Sequence, residues 1–109
     1  MRKLRPRKRA LKLAAQVKDR LSETLGKPVK VIMYGSQARG DATKESDIDL
    51  LVILPSVDPK TRKLISTVAW EVGLDAGKVI STVPTTPDEM KYYAILPFYK
   101  NVKSEGIAI

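Results

Sequence analysis

The sequence predicts an α/β (α+β) fold, a small mixed β-sheet flanked by helices, on three observations. Two long stretches carry apolar residues at helical spacing, and three short runs rich in branched apolar residues lie between them. Glycine or proline punctuates nearly every boundary. A chain of 109 residues suits one domain with one modest core.

From Arg9 to Leu25 the residues Leu11, Ala14, Val17, Leu21 and Leu25 recur at steps of three and four, which is the pattern of an amphipathic helix. Gly26 and Pro28 stop it. Val29 to Tyr34 reads as a short strand ending at Gly35, and residues 35 to 46 are small and polar, a loop with one helical turn at its start. Ile48 to Leu54 is an almost unbroken apolar run closed by Pro55, as expected of a central strand buried on both faces. Asp58-Pro59 supplies a capping carboxylate and a preformed first helical residue. The stripe Ile65, Val68, Ala69, Val72 and Ala76 carries that helix to Gly77. Val79 to Val83 is a third strand. Thr86 and Glu89 have the spacing of a capping box that opens a short helix through Ala94, and Pro97 to Lys103 reads as a further helical piece before Gly106 and an extended end. Trp70 is expected to pack on the long second helix. Tyr92, Tyr93, Phe98 and Tyr99 either close the core over the sheet, the preferred reading, or present an aromatic surface to a base or a partner.

Composition removes several chemistries. Without cysteine or histidine the chain holds no disulfide, thiolate zinc site or imidazole base. Any metal must be bound by oxygen, which favours Mg²⁺, Mn²⁺ or Ca²⁺. No apolar run approaches a membrane span and no secretory signal follows the basic start, so no membrane association and a cytoplasmic location are expected. The net charge of +8 is concentrated: residues 1 to 12 carry seven positive charges and no acid. Removing those seven from twenty leaves thirteen basic residues against twelve acidic ones. Residues 1–8 therefore read as a basic arm on a single domain spanning 1–109, either a solvated terminus or a contact for nucleic acid, an acidic partner or substrate phosphates.

The chemistry concentrates in Gly35-Ser36, ten residues, then Asp47-Ile48-Asp49. Side chains alternate along a strand, so Asp47 and Asp49 share a face and can share divalent cations, Mg²⁺ or Mn²⁺. Gly35 lets backbone approach a phosphate and Ser36 adds a hydroxyl. Arg39 is a further phosphate contact or a solvated loop residue.

The stretch from Tyr34-Gly35-Ser36-Gln37-Ala38-Arg39-Gly40-Asp41 through Ser46-Asp47-Ile48-Asp49-Leu50-Leu51-Val52 resembles the DNA polymerase beta-like nucleotidyltransferases, and more closely the minimal nucleotidyltransferases of toxin–antitoxin pairs. The C-terminal segment Pro97 to Ile107 is similar to the ending of stand-alone members. The resemblance implies that Ser36 binds triphosphate oxygens, that Asp47 and Asp49 are the catalytic aspartates and hold Mg²⁺, and that a nucleoside monophosphate passes from a triphosphate, ATP in the first instance, to a macromolecular hydroxyl. It also suggests a helical toxin-like protein as partner. Members of the family normally carry a third acid on the next strand, and here the matching position is Ser81 or a neighbour, none of them acidic. That departure keeps two other readings open: an antitoxin module that acts by contact alone, and an RNA-directed transferase or RNA-binding protein that uses the arm.

Overall fold

A computed structural model describes residues 4–109. The elements run α1 (Lys8–Leu25), β1 (Lys30–Tyr34), α2 (Ser36–Arg39), β2 (Ile48–Ile53), α3 (Pro59–Ala76), β3 (Ile80–Thr85), α4 (Pro87–Tyr92), α5 (Pro97–Glu105) and β4 (Ile107–Ala108). The sheet order is β3-β2-β1-β4. β1 is antiparallel to both β2 and β4, whereas β2 and β3 are parallel, so the sheet is mixed, as the element order predicts.

The two faces of the sheet follow from residue parity. Val31, Met33, Ile48, Leu50, Val52 and Ile80 point to one face and join Leu13, Val17 and Leu21 of α1 and Ile65, Val68 and Val72 of α3 in the main core. The intervening residues Ile32, Tyr34, Asp49, Leu51, Ser81 and Val83 point to the other face, partly covered by α5. There Tyr34 meets Phe98 edge to face at 5.3 Å, and the buried Thr85 hydroxyl lies 3.0 Å from that of Tyr99.

Local chemistry sets the boundaries. Asp58 caps α3 by accepting from the Thr61 N–H at 2.7 Å, and the Thr86 hydroxyl accepts from the Glu89 N–H at 3.1 Å at the start of α4. β3 runs beyond Val83 to Thr85 despite Pro84. It is an edge strand, and the carbonyls of Val79 and Thr85 both accept from the β2 side, so alternation turns the proline nitrogen outward, where no ladder bond is lost. The extended C-terminus adds β4 to the edge of β1, with Met33 opposite Ile107.

Two packing expectations fail. Trp70 is 65 % exposed, because it lies about 140° around α3 from the buried stripe centred near Ile65. α4 ends at Tyr92 rather than Ala94, is only six residues long and buries none of them, so Tyr92 and Tyr93 stand exposed while Phe98 and Tyr99 are half-buried. The four aromatics therefore divide between surface and packing. No described helix is long and apolar enough to cross a membrane.

Residues 4 to 7 of the basic arm run against the loop that follows β1. The Arg7 N–H donates to the Gln37 carbonyl at 3.0 Å, and its guanidinium donates to the Ala42 carbonyl at 3.0 Å. Gly40, at φ 92°, leaves room for the Arg5 backbone, which a side chain there would strike. Arg2 and Lys3, which carry part of the arm's charge, lie outside the described residues.

Candidate active site

The far face of the sheet carries a row of functional groups at one end of three strands. Tyr34 pairs across the ladder with Asp49, and Asp49 with Ser81, so the three side chains share a face at neighbouring positions. Asp47 lies just before β2, two residues from Asp49 and exposed to solvent, and Asp49 is half-buried. Burial raises the Asp49 carboxyl above its ordinary range, the charge of Asp47 raises it further, and Arg39 partly offsets them. Burial and then the charge of Asp49 push the Tyr34 hydroxyl up to about 12, so it stays protonated at neutral pH.

The turn between β1 and α2 needs glycine for two reasons. Gly35 adopts φ 78° and ψ −162°, a region that other residues rarely enter. A Cβ on Gly35 would also lie 2.5 Å from Asp49 Oδ2, so the acid packs directly on the glycine. Ser36 follows at once, half-buried, and its carbonyl accepts from the N–H groups of Gly40 and Asp41 at 2.9 and 3.1 Å. Gln37 is buried and donates through Nε2 to the Ser46 carbonyl at 3.1 Å, while Lys78 donates to the Lys44 carbonyl at 2.8 Å. These bonds fasten the ten-residue spacer and bring Gly35 beside Asp49.

Gly35, Ser36, Arg39, Asp47 and Asp49, singled out from the sequence, thus lie around one turn. Arg39 is engaged by carboxylates: Nε donates to Asp41 Oδ2 at 3.3 Å and Nη1 to Glu105 Oε2 at 3.0 Å. The bond to Glu105, then that to Asp41, raises the guanidinium pKa above its ordinary value. Glu105 is the residue that sequence reasoning missed. It lies 70 positions from Gly35, whose N–H donates to Glu105 Oε1 at 3.2 Å. No spacing rule links residues so far apart, and the only sequence signal is its place inside the C-terminal segment that resembles other members.

Ser81 does stand beside Asp49, and β3 itself carries no acid. Of the other acids near β3, Glu71 on α3 pairs with Arg20 of α1, and Glu89 belongs to the start of α4. Among the described residues, no three acidic side chains gather into a group that could hold a metal ion.

Residues 14–109 match the nucleotidyltransferase domain family. The chain belongs to that family. It is 33 % identical over 85 residues to a protein of Methanocaldococcus jannaschii named "putative protein adenylyltransferase", covering 78 % of this chain and 81 % of that protein. It is also 29 % identical over 85 residues to the bifunctional uridylyltransferase/uridylyl-removing enzyme of Burkholderia lata, covering 72 % of this chain. A similar enzyme of Stutzerimonas stutzeri is 31 % identical over 70 residues, covering 61 % of this chain. The matches span only 10 % and 8 % of those two larger enzymes, so the likeness to them concerns the transferase core alone. The mixed sheet flanked by helices is that of the polymerase beta-like fold, and this minimal nucleotidyltransferase is an enzyme of the nucleotidyl-transferring kind.

Proposed function

We propose that this minimal nucleotidyltransferase moves a nucleoside monophosphate from a Mg²⁺-bound triphosphate, ATP in the first instance, to a hydroxyl on a partner protein in the cytoplasm, with pyrophosphate leaving. The observation that carries this reading is the packing of Asp49 Oδ2 against Gly35, with Ser36 next in the chain and Asp47 two residues before Asp49, where its charge raises the Asp49 carboxyl. The acceptor is read from the resemblance to antitoxin nucleotidyltransferases, which suggests a helical toxin-like protein, and from the similarity to a relative named for protein adenylylation.

The residues present fit Mg²⁺ or Mn²⁺. Mg²⁺ is commonly held by one or two carboxylates and substrate phosphates, with water completing its shell. Asp47 and Asp49 supply those carboxylates, and the raised proton affinity that Asp47 induces in Asp49 is the repulsion a divalent cation relieves. Bound there, the ion would neutralise charge on the triphosphate and polarise the phosphorus under attack. The protein's own contribution is positional. Gly35 admits a phosphate close to backbone, Ser36 offers its hydroxyl and N–H to triphosphate oxygens, and Arg39 supplies positive charge at the rim.

The position of Ser81 favours a second reading, in which the domain loads triphosphate but neutralises its partner by contact. Beside Asp49, a serine hydroxyl cannot take up the acceptor's proton as a carboxylate would. The deciding experiment supplies Mg²⁺ and ATP labelled at the α-phosphate, together with the protein encoded next to this one. Label on the partner supports transfer, while tight partner binding without label favours the contact module.

A further inference from the structure

The end of the chain brings a carboxylate to the signature turn. Glu105 closes α5, and Gly106 then turns the chain into β4. A Cβ on Gly106 would lie 2.6 Å from Ile32 Cγ2, so the turn is pressed onto β1. β4 hydrogen-bonds along β1, and the Ile109 N–H donates to the Val31 carbonyl at 2.9 Å. Glu105 is therefore anchored on both sides, by a helix before it and a paired strand after it, and its side chain is only 22 % exposed.

Its two oxygens divide their work. Oε1 accepts from the Gly35 N–H at 3.2 Å, and Oε2 accepts from Arg39 Nη1 at 3.0 Å. On the same glycine, Asp49 Oδ2 occupies the space that a side chain would need. Gly35 is thus held between two carboxylates, gripped through its amide by Glu105 and touched by Asp49. Arg39, at the far end of α2, is fixed by the same Glu105 carboxylate, so both ends of the Ser36 turn depend on one side chain.

We propose that Glu105 is a positioning residue for nucleotidyl transfer: by holding the Gly35 amide and the Arg39 guanidinium together, it keeps the Ser36 turn in register with Asp49 for the triphosphate. This rests on the functional reading above. Glu105 acts through the turn and is not a third member of the aspartate site, since no three acids gather there among the described residues.

The test uses the full chain with Glu105→Ala, Glu105→Gln and Arg39→Ala, titrated with Mg²⁺-ATP by calorimetry, while NMR follows hydrogen exchange at the Gly35 amide. Charge-assisted bonds to a partly buried carboxylate are worth about tenfold or more in an equilibrium. Glu105→Ala should therefore weaken Mg²⁺-ATP binding by about tenfold and speed Gly35 exchange. Glu105→Gln keeps an oxygen for the Gly35 N–H and should recover part of both effects, so it decides the matter even where the alanine variant folds poorly. The double variant with Arg39→Ala should lose less than the sum of the single losses, because both residues act on one turn. Faster Gly35 exchange with unchanged Mg²⁺-ATP affinity would overturn the inference alone, leaving Glu105 a structural staple. Failure of the natural protein to bind Mg²⁺-ATP at all would overturn the functional reading and this inference with it.

Discussion

The two faces of the sheet are built from the same strands, one residue out of step, yet they do opposite work. On the face toward α1 and α3, Met33, Ile48, Leu50 and Val52 are fully buried and apolar. On the other, at adjacent positions, Tyr34, Asp49 and Ser81 are only partly covered. Period-two alternation lets one run, Ile48 to Ile53, anchor the core and present an acid. Stability and chemistry thus divide largely by parity, with Leu51 and Thr85 the fully buried exceptions on the second face.

The largest effect should come from the apolar face. Leu50→Ala removes a side chain with no exposure and should cost about 2–5 kcal/mol of unfolding free energy. Asp49→Asn, one residue away, should cost nothing measurable by denaturant titration while removing Mg²⁺-dependent nucleotide binding. A comparable stability loss for both would break the division of labour between the faces.

Gly35→Ala links the two. It meets an unfavourable φ of 78° and the Asp49 carboxylate together, so it should destabilise by about 1–3 kcal/mol and also weaken nucleotide binding. A variant as stable as the natural protein, with normal nucleotide affinity, would show that the glycine contact does not shape the site.

Ser81→Asp acts along the polar row itself, where β2 bears an acid and its neighbour β3 does not. Restoring a carboxylate beside Asp49 should raise label transfer to the partner by about a hundredfold or more at equal triphosphate occupancy, within the range of a general base. Rapid transfer by the natural protein, with no gain on substitution, would mean that catalysis proceeds without an acid at that position.

Smaller effects concern charge. Asp49 binds its proton more tightly in the folded apoprotein than in the unfolded chain, because of burial and then Asp47. The stability it contributes is complete below the ordinary carboxylate pKa of about 4 and is lost as pH rises through the elevated folded value. Thermal melts across that window should show Asp49→Asn gaining on the natural protein as pH increases, and parallel curves would contradict the assigned surroundings of Asp49. For the arm, neutralising Arg2, Lys3 and Arg5 should flatten the salt dependence of any nucleic-acid binding by about 0.7–0.9 for each phosphate the arm would otherwise neutralise. An unchanged slope would identify the arm as a solubilising tail.

Much of the fold and the candidate site was legible in the sequence because it depends on short spacings. The stripe from Leu11 to Leu25, the run from Ile48 to Leu54 and the glycine before Ser36 each encode local geometry, whereas strand alternation covers Asp49 but not Asp47, which lies just outside β2. What escaped depends on contacts across the chain. Glu105 reaches Gly35 only because β4 pairs with β1, a contact no local pattern announces. The exposure of Trp70 follows from its angle around α3, which a neighbouring Ala69 and Val72 conceal when the sequence is read linearly. Tyr92 and Tyr93 are exposed because α4 is too short to press them onto the sheet.

Asp47 and Asp49, beside Gly35 and Ser36, are proposed to hold a metal-bound triphosphate. Calorimetry of the natural protein and the Asp47→Asn, Asp49→Asn double variant, each titrated with ATP in Mg²⁺ and in chelator, tests it most directly. Binding is expected from the natural protein only with metal, and none from a double variant whose circular dichroism and melting remain those of a folded protein, since removing repulsion at a rim seldom destabilises. Equal binding with and without metal, or normal Mg²⁺-ATP affinity in the double variant, would contradict it.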